Sequence, residues 1–132
     1  MKTISNEQLT IQVSPRGAEL CSIFANGKEY LWQADPAFWK RHSPILFPIV
    51  GSVWENEYRN EGIPYTLTQH GFARDMEFTL VSEKKDEIHY RLISNGETLQ
   101  KYPFPFCLEI GDRKSTRLNS SHRSLSRMPS SA

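Results

Sequence analysis

The sequence predicts an all-β sandwich or barrel. Short runs alternate apolar and polar residues, and turn residues recur at roughly ten-residue spacing, giving roughly seven to nine strands. No helical periodicity persists beyond a turn or two. Leu9, Ile11 and Val13 alternate with Thr10, Gln12 and Ser14, the pattern of a half-buried strand. Ser14-Pro15-Arg16-Gly17 is a turn, and a second strand covers Ala18 to Ala25. Asn26-Gly27 suits a type I′ hairpin turn, because both residues tolerate positive φ, and Lys28 to Trp32 is the return strand. Asp35-Pro36 reads as the cap and first position of a helix of a turn or two, with Phe38 and Trp39 anchoring it to the sheet.

Two prolines interrupt the apolar run Pro44 to Gly51, which predicts a buried irregular or edge segment. Asn60-Glu61-Gly62 joins Glu57–Arg59 to Ile63–Leu67 as a short hairpin. Met76, Phe78 and Leu80, then Ile88, Tyr90 and Leu92, form a hairpin across Lys84-Lys85-Asp86. Asn95 to Thr98 is a turn leading into a helical turn at Leu99–Lys101, and Phe104, Phe106, Leu108 and Ile110 make a last strand ending at Gly111.

Beyond Gly111 the composition changes abruptly. Residues 112–132 hold seven serines and no aromatic residue, and their five Lys+Arg against one Asp give +4, whereas residues 1–111 hold 11 against 14 and give −3. Composition predicts disorder for 112–132. The run Asp112-Arg113-Lys114-Ser115-Thr116-Arg117-Leu118-Asn119-Ser120-Ser121-His122 looks like the in-frame translation of a sequencing-library adapter, so the tail is set aside from the fold as an expected artefact. The body gives no electrostatic reason to expect nucleic acid. Cys21 and Cys107 are too far apart in sequence for a metal motif and read as buried free thiols. The first residues lack an apolar signal region and no run approaches ~18 apolar residues, so neither export nor a membrane span is expected and the default location is cytoplasmic.

The functional stretch is Gln69-His70-Gly71-Phe72-Ala73-Arg74-Asp75. It sets an imidazole, a guanidinium and a carboxylate beside a glycine that permits a sharp bend. Imidazole both donates to and accepts from hydroxyls, and the guanidinium fork suits vicinal hydroxyls or a phosphate. Asp75 is expected to orient Arg74. Phe72 is a weaker candidate, able to stack on a sugar face or to enter the core. Trp32, Phe47 and Trp54 carry the same two readings, while His42 and His89 belong to no motif. No carboxylate pair has a spacing that argues for glycoside hydrolysis.

These segments resemble an enzyme family. Gly17-Ala18-Glu19-Leu20-Cys21-Ser22-Ile23, Glu29-Tyr30-Leu31-Trp32-Gln33, Trp39-Lys40-Arg41, Pro44 to Gly51 and Gln69 to Arg74 stand in the order found in the aldose 1-epimerase (galactose mutarotase-like) superfamily, and most resemble its LacX-type branch. The resemblance covers residues 1–111 and implies the N-terminal portion of a galactose mutarotase-like β-sandwich (supersandwich). It implies an isomerase that interconverts the α and β anomers of an aldose or hexose phosphate without metal or organic cofactor. A sugar-binding protein on the same fold is the alternative. In the family, an acid His protonates the ring oxygen and a base Glu takes the anomeric proton. Both align beyond Gly111, so no catalytic residue is expected in this chain, and His70, Arg74 and, more weakly, Phe72 match substrate-binding positions. Ser52 departs from the pattern, standing where many relatives carry a basic residue. A fragment of this kind is expected to expose sheet edges and half a core, which favours aggregation, and to be inactive alone.

Overall fold

A computed structural model describes residues 1–114 and 121–128. Residues 115–120 and 129–132, part of the segment predicted to be disordered, lie outside the described residues.

The first sheet is an antiparallel meander of β1 (Lys2–Ser5), β2 (Thr10–Ser14), β3 (Glu19–Ala25) and β4 (Lys28–Glu29), in that order. β1 went unpredicted because Ile4 alone among its residues is buried and no alternation announces it. Ile11 and Val13 of β2 point into the core as the alternation requires. The Asn26-Gly27 turn has φ values of 53° and 74°, the doubly positive geometry of a type I′ connection. The return strand stops at Glu29 rather than Trp32. The Glu29 carboxylate accepts the Ile23 and Leu31 N–H groups at 2.9 and 3.3 Å and the Ser22 hydroxyl at 2.7 Å, so a side chain replaces the ladder there.

Asp35 does cap the following turn, accepting the Ala37 N–H through its carboxylate and those of Phe38 and Trp39 through its carbonyl. The turn goes no further, and the expected anchoring fails. Phe38 is 81% exposed, with its ring in a T-shaped pair with that of Trp32, 6.2 Å away between centroids. The proline-interrupted segment is irregular as predicted, with Ile45 and Phe47 buried and a cis bond between Phe47 and Pro48. After a 3₁₀ turn at Trp54–Asn56, β5 (Glu57–Asn60) and β6 (Ile63–Thr66) form the predicted hairpin.

The second four-stranded sheet contains β7 (Thr79–Glu83), β8 (Glu87–Ile93), β9 (Cys107–Lys114) and β10 (Ser121–Met128), in the order β10-β9-β8-β7. β7 starts later than predicted because Met76 to Phe78 pair with the β2–β3 turn instead. Gly17 N–H reaches the Met76 carbonyl at 2.7 Å and Phe78 N–H the Pro15 carbonyl at 2.8 Å. Between β8 and β9, α1 (Gly96–Lys101) is longer than the single turn expected. Asn95 and Thr98 form a reciprocal capping box that recruits the predicted turn into the helix.

The tail needs a correction at its start. β9 runs through Gly111 to Lys114, and β10 pairs with it from Ser121↔Lys114 to Met128↔Cys107. Backbone hydrogen bonds need no particular side chains, and β8 already offers partners at Glu87↔Arg113 and Ile88↔Asp112. Composition therefore misjudged Asp112–Lys114 and Ser121–Met128.

One core joins both sheets. Ile4, Ile11 and Val13 from the first belong to the same buried cluster as Ile88, Tyr90, Leu92, Leu108 and Ile110 from the second, with Phe47, Leu67, Phe72 and Phe106 among them. The Tyr90 hydroxyl is buried without a hydrogen-bond partner among the described residues. Burial, then the charges of Glu83, Glu77 and Asp112, push its pKa up. Cys21 and Cys107 are not joined by a disulfide, the first being buried and the second half-buried. No helix among the described residues is long and apolar enough to cross a membrane.

Candidate functional site

The motif folds as a tight turn followed by a 3₁₀ turn at Ala73–Asp75. Gly71 N–H donates to the Thr68 carbonyl at 3.0 Å, while His70 and Gly71 both take positive φ, 64° and 72°. The glycine is required twice over. Besides its φ, a Cβ there would lie 2.2 Å from the Phe47 carbonyl oxygen. That carbonyl in turn accepts the Phe72 and Ala73 N–H groups at 3.0 and 3.2 Å, stapling the turn to the proline-rich segment. Gly17 closes the other side, where a Cβ would come within 2.6 Å of the Arg74 carbonyl oxygen.

His70 grips Gly51 at two points. Its backbone N–H donates to the Gly51 carbonyl at 2.7 Å, and its ring Nδ1 accepts the Gly51 N–H at 2.8 Å. An Nδ1 that accepts leaves the ring proton on Nε2, so the half-buried imidazole offers a fixed donor to a ligand. Arg74 is held differently. Its Nη2 donates to the Gln69 carbonyl at 2.9 Å, and its Nε is buried with no hydrogen-bond partner among the described residues. Asp75 Oδ2 stands 3.9 Å from that Nε, whereas Asp75 Oδ1 lies 3.1 Å from Arg41 Nη2. Asp75 thus chiefly holds Arg41, not Arg74 as expected.

Arg74 and Arg41 open onto a depression of about 350 Å³ whose other charged walls are Arg16, Lys40, Glu19 and Asp75. Four cations face two carboxylates there, and Glu19 is partly engaged with the N–H groups of His42 and Ser43 at 2.8 and 3.0 Å. His70 is not part of its lining. Phe72 is only 7% exposed and packs against Phe47 and Phe106, with centroids 6.3 and 6.1 Å away, so its faces belong to the core and it is removed as a stacking ring. Phe47 is core for the same reason. Sequence reasoning missed the partnership of Gly51 with His70, which are 19 positions apart and carry no pairing signal. Among the described residues no three His, Cys, Asp or Glu side chains group as a metal site would require.

Comparison with known proteins follows the same lines. The profile of the family described as aldose 1-epimerase matches residues 1–113. Protein LacX (chromosomal) of Lactococcus lactis subsp. lactis is 39% identical over 113 residues, and a plasmid-borne LacX matches equally. The chain spans only 38% of the length of these curated relatives, which align with 81% of it. Among solved structures, a galactose mutarotase related enzyme from Lactobacillus acidophilus superposes with a TM-score of 0.89 at 36% identity, over 97% of this chain and 43% of that one. A galactose mutarotase-like protein from Lactobacillus casei gives 0.89 at 34% identity, over 99% and 45%. The nearly all-β architecture is therefore galactose mutarotase-like, and on a profile match that takes in most of its residues the chain belongs to the aldose 1-epimerase family.

Proposed function

We propose that the chain carries the binding part of a site at which an aldose or hexose phosphate exchanges its α and β anomers. The observation that carries this is the His70–Gly51 clamp, which fixes an imidazole donor within the motif shared with an epimerase family. In the reaction a base takes the proton of the anomeric hydroxyl, the bond from C1 to the ring oxygen breaks, and an acid protonates that oxygen. Rotation about the C1–C2 bond and reclosure give the other anomer. Positioned acids and bases each contribute about 10²–10⁴-fold. The resemblance puts the family's acid His and base Glu outside residues 1–111, so the role proposed for His70 and Arg74 is binding rather than proton transfer. Polarimetry of glucose and galactose with the 132-residue chain is expected to show the buffer rate, and family-like acceleration refutes the assignment.

The basic depression favours a phosphorylated sugar over a neutral one. Arg16, Lys40, Arg41 and Arg74 outnumber Glu19 and Asp75, and guanidinium forks bind phosphate oxygens in pairs. Isothermal titration should show glucose 6-phosphate binding more tightly than glucose, with the difference shrinking as salt rises. Equal affinities reject the phosphate.

A further inference from the structure

Gly51 is tied to the motif and Asn56 to Leu67 just before it, and between these ties the loop exposes Trp54. Gly51 is clamped by His70, and the Asn56 carbonyl accepts the Leu67 N–H at 2.9 Å. Trp54 sits between these ties, 85% exposed, and makes no ring contact with a described residue. Val50, on the other side of Gly51, is 77% exposed. The backbone after the indole is unusual. Glu55 and Asn56 are consecutive left-handed residues, φ 52° and 59°, and neither is glycine. Such conformations persist where surrounding contacts hold them, and here the holding contacts are the Asn56 N–H to Val53 carbonyl bond at 3.1 Å and the Leu67 tie. Trp54 stands three positions after Gly51, so their Cα atoms lie within about 11 Å.

A large apolar ring on a constrained loop, three positions after the glycine that an oriented imidazole clamps, suits the two faces of a pyranose. The sugar has hydroxyls at its rim and a patch of C–H groups on its ring face, which an indole covers while hydrogen-bonding groups take the rim. We propose that Trp54 is the stacking platform for the pyranose whose hydroxyl His70 holds, so that the Gly51–Asn56 loop sets the affinity and ring preference of the site. This rests on the assignment of His70 to sugar binding.

The test uses the 132-residue chain, whose three tryptophans give separate indole N–H signals in ¹⁵N-labelled protein, with Trp54→Phe identifying the one concerned. Galactose and glucose 6-phosphate are titrated while indole and imidazole signals are followed. The Trp54 and His70 signals are expected to move on one saturating curve. Trp54→Ala should weaken binding about tenfold, and Trp54→Phe should retain most of it. If the His70 signals move while Trp54 stays still, or Trp54→Ala leaves Kd unchanged, the platform is rejected and the His70 assignment survives. If neither signal responds to either sugar, both fall together.

Discussion

His70 and Arg74 stand four residues apart in one motif, yet the fold gives them different tasks. His70 turns toward Gly51 and is fixed by two hydrogen bonds. Arg74 turns into the basic depression with Arg41, where it has one backbone carbonyl and a distant carboxylate. The cause is the turn between them, whose left-handed His70 and Gly71 reverse the chain before the 3₁₀ turn begins. A short motif can therefore serve two walls, one presenting an oriented imidazole and one presenting charge. The two should respond differently to mutation.

The largest effect should come from the shared turn. Gly71→Ala forces a Cβ against the Phe47 carbonyl at positive φ, and should destabilise the protein by on the order of 3 kcal/mol in urea unfolding. A loss below about 1 kcal/mol would show that the turn relaxes freely and does not hold the two walls apart. Tyr90→Phe, in the core behind both, is the control. Removing a hydroxyl buried without a partner among the described residues should stabilise by about 1–3 kcal/mol. The sign with pH also follows. Because the folded pKa is raised above the unfolded value near 10, protonation of Tyr90 contributes stability that is fully present below about pH 10 and is lost as pH rises through the folded pKa. Wild type should lose stability with alkali above about pH 10 more steeply than Tyr90→Phe, as thermal melts across that range will show.

The walls themselves give smaller changes. His70→Ala should cost about 1 kcal/mol through the lost Gly51 bond and weaken neutral and phosphorylated sugars alike by titration calorimetry. Asp75→Asn should change stability by less than about 1 kcal/mol, since its pair with Arg41 is partly exposed. It should nonetheless tighten glucose 6-phosphate and leave galactose unchanged, because one opposing charge leaves the depression. Equal responses to the two sugars in both variants would erase the distinction between the walls.

Much of this architecture was legible where local chemistry decides it. Asn26-Gly27 named its turn, Ile88, Tyr90 and Leu92 named their buried face, and Asp35 named its cap. What stayed hidden depended on distant partners. β1 exists because β2 accepts it, with a single buried Ile4 to announce it. Met76 to Phe78 left the expected strand because Pro15 and Gly17 offered hydrogen bonds from across the chain. Phe72 was a weak candidate to face a sugar, and Phe47 and Phe106 beside it place it in the core. Asp112, the first residue of the segment expected to be disordered, is buried in β9 on the face of Leu108 and Ile110, a position its own polarity argues against.

The short β4 has a consequence for how the molecules meet one another in concentrated solution. An open sheet edge is a template on which another chain can add a strand. At the β4 edge of the first sheet, the Glu29 carboxylate has already taken the N–H groups of Ile23 and Leu31, and the Tyr30 N–H has taken the Ile23 carbonyl at 2.8 Å. An incoming strand finds neither donor nor acceptor at Ile23 and meets a negative charge beside it. One side chain thus acts as a guard against intermolecular strand addition at this edge.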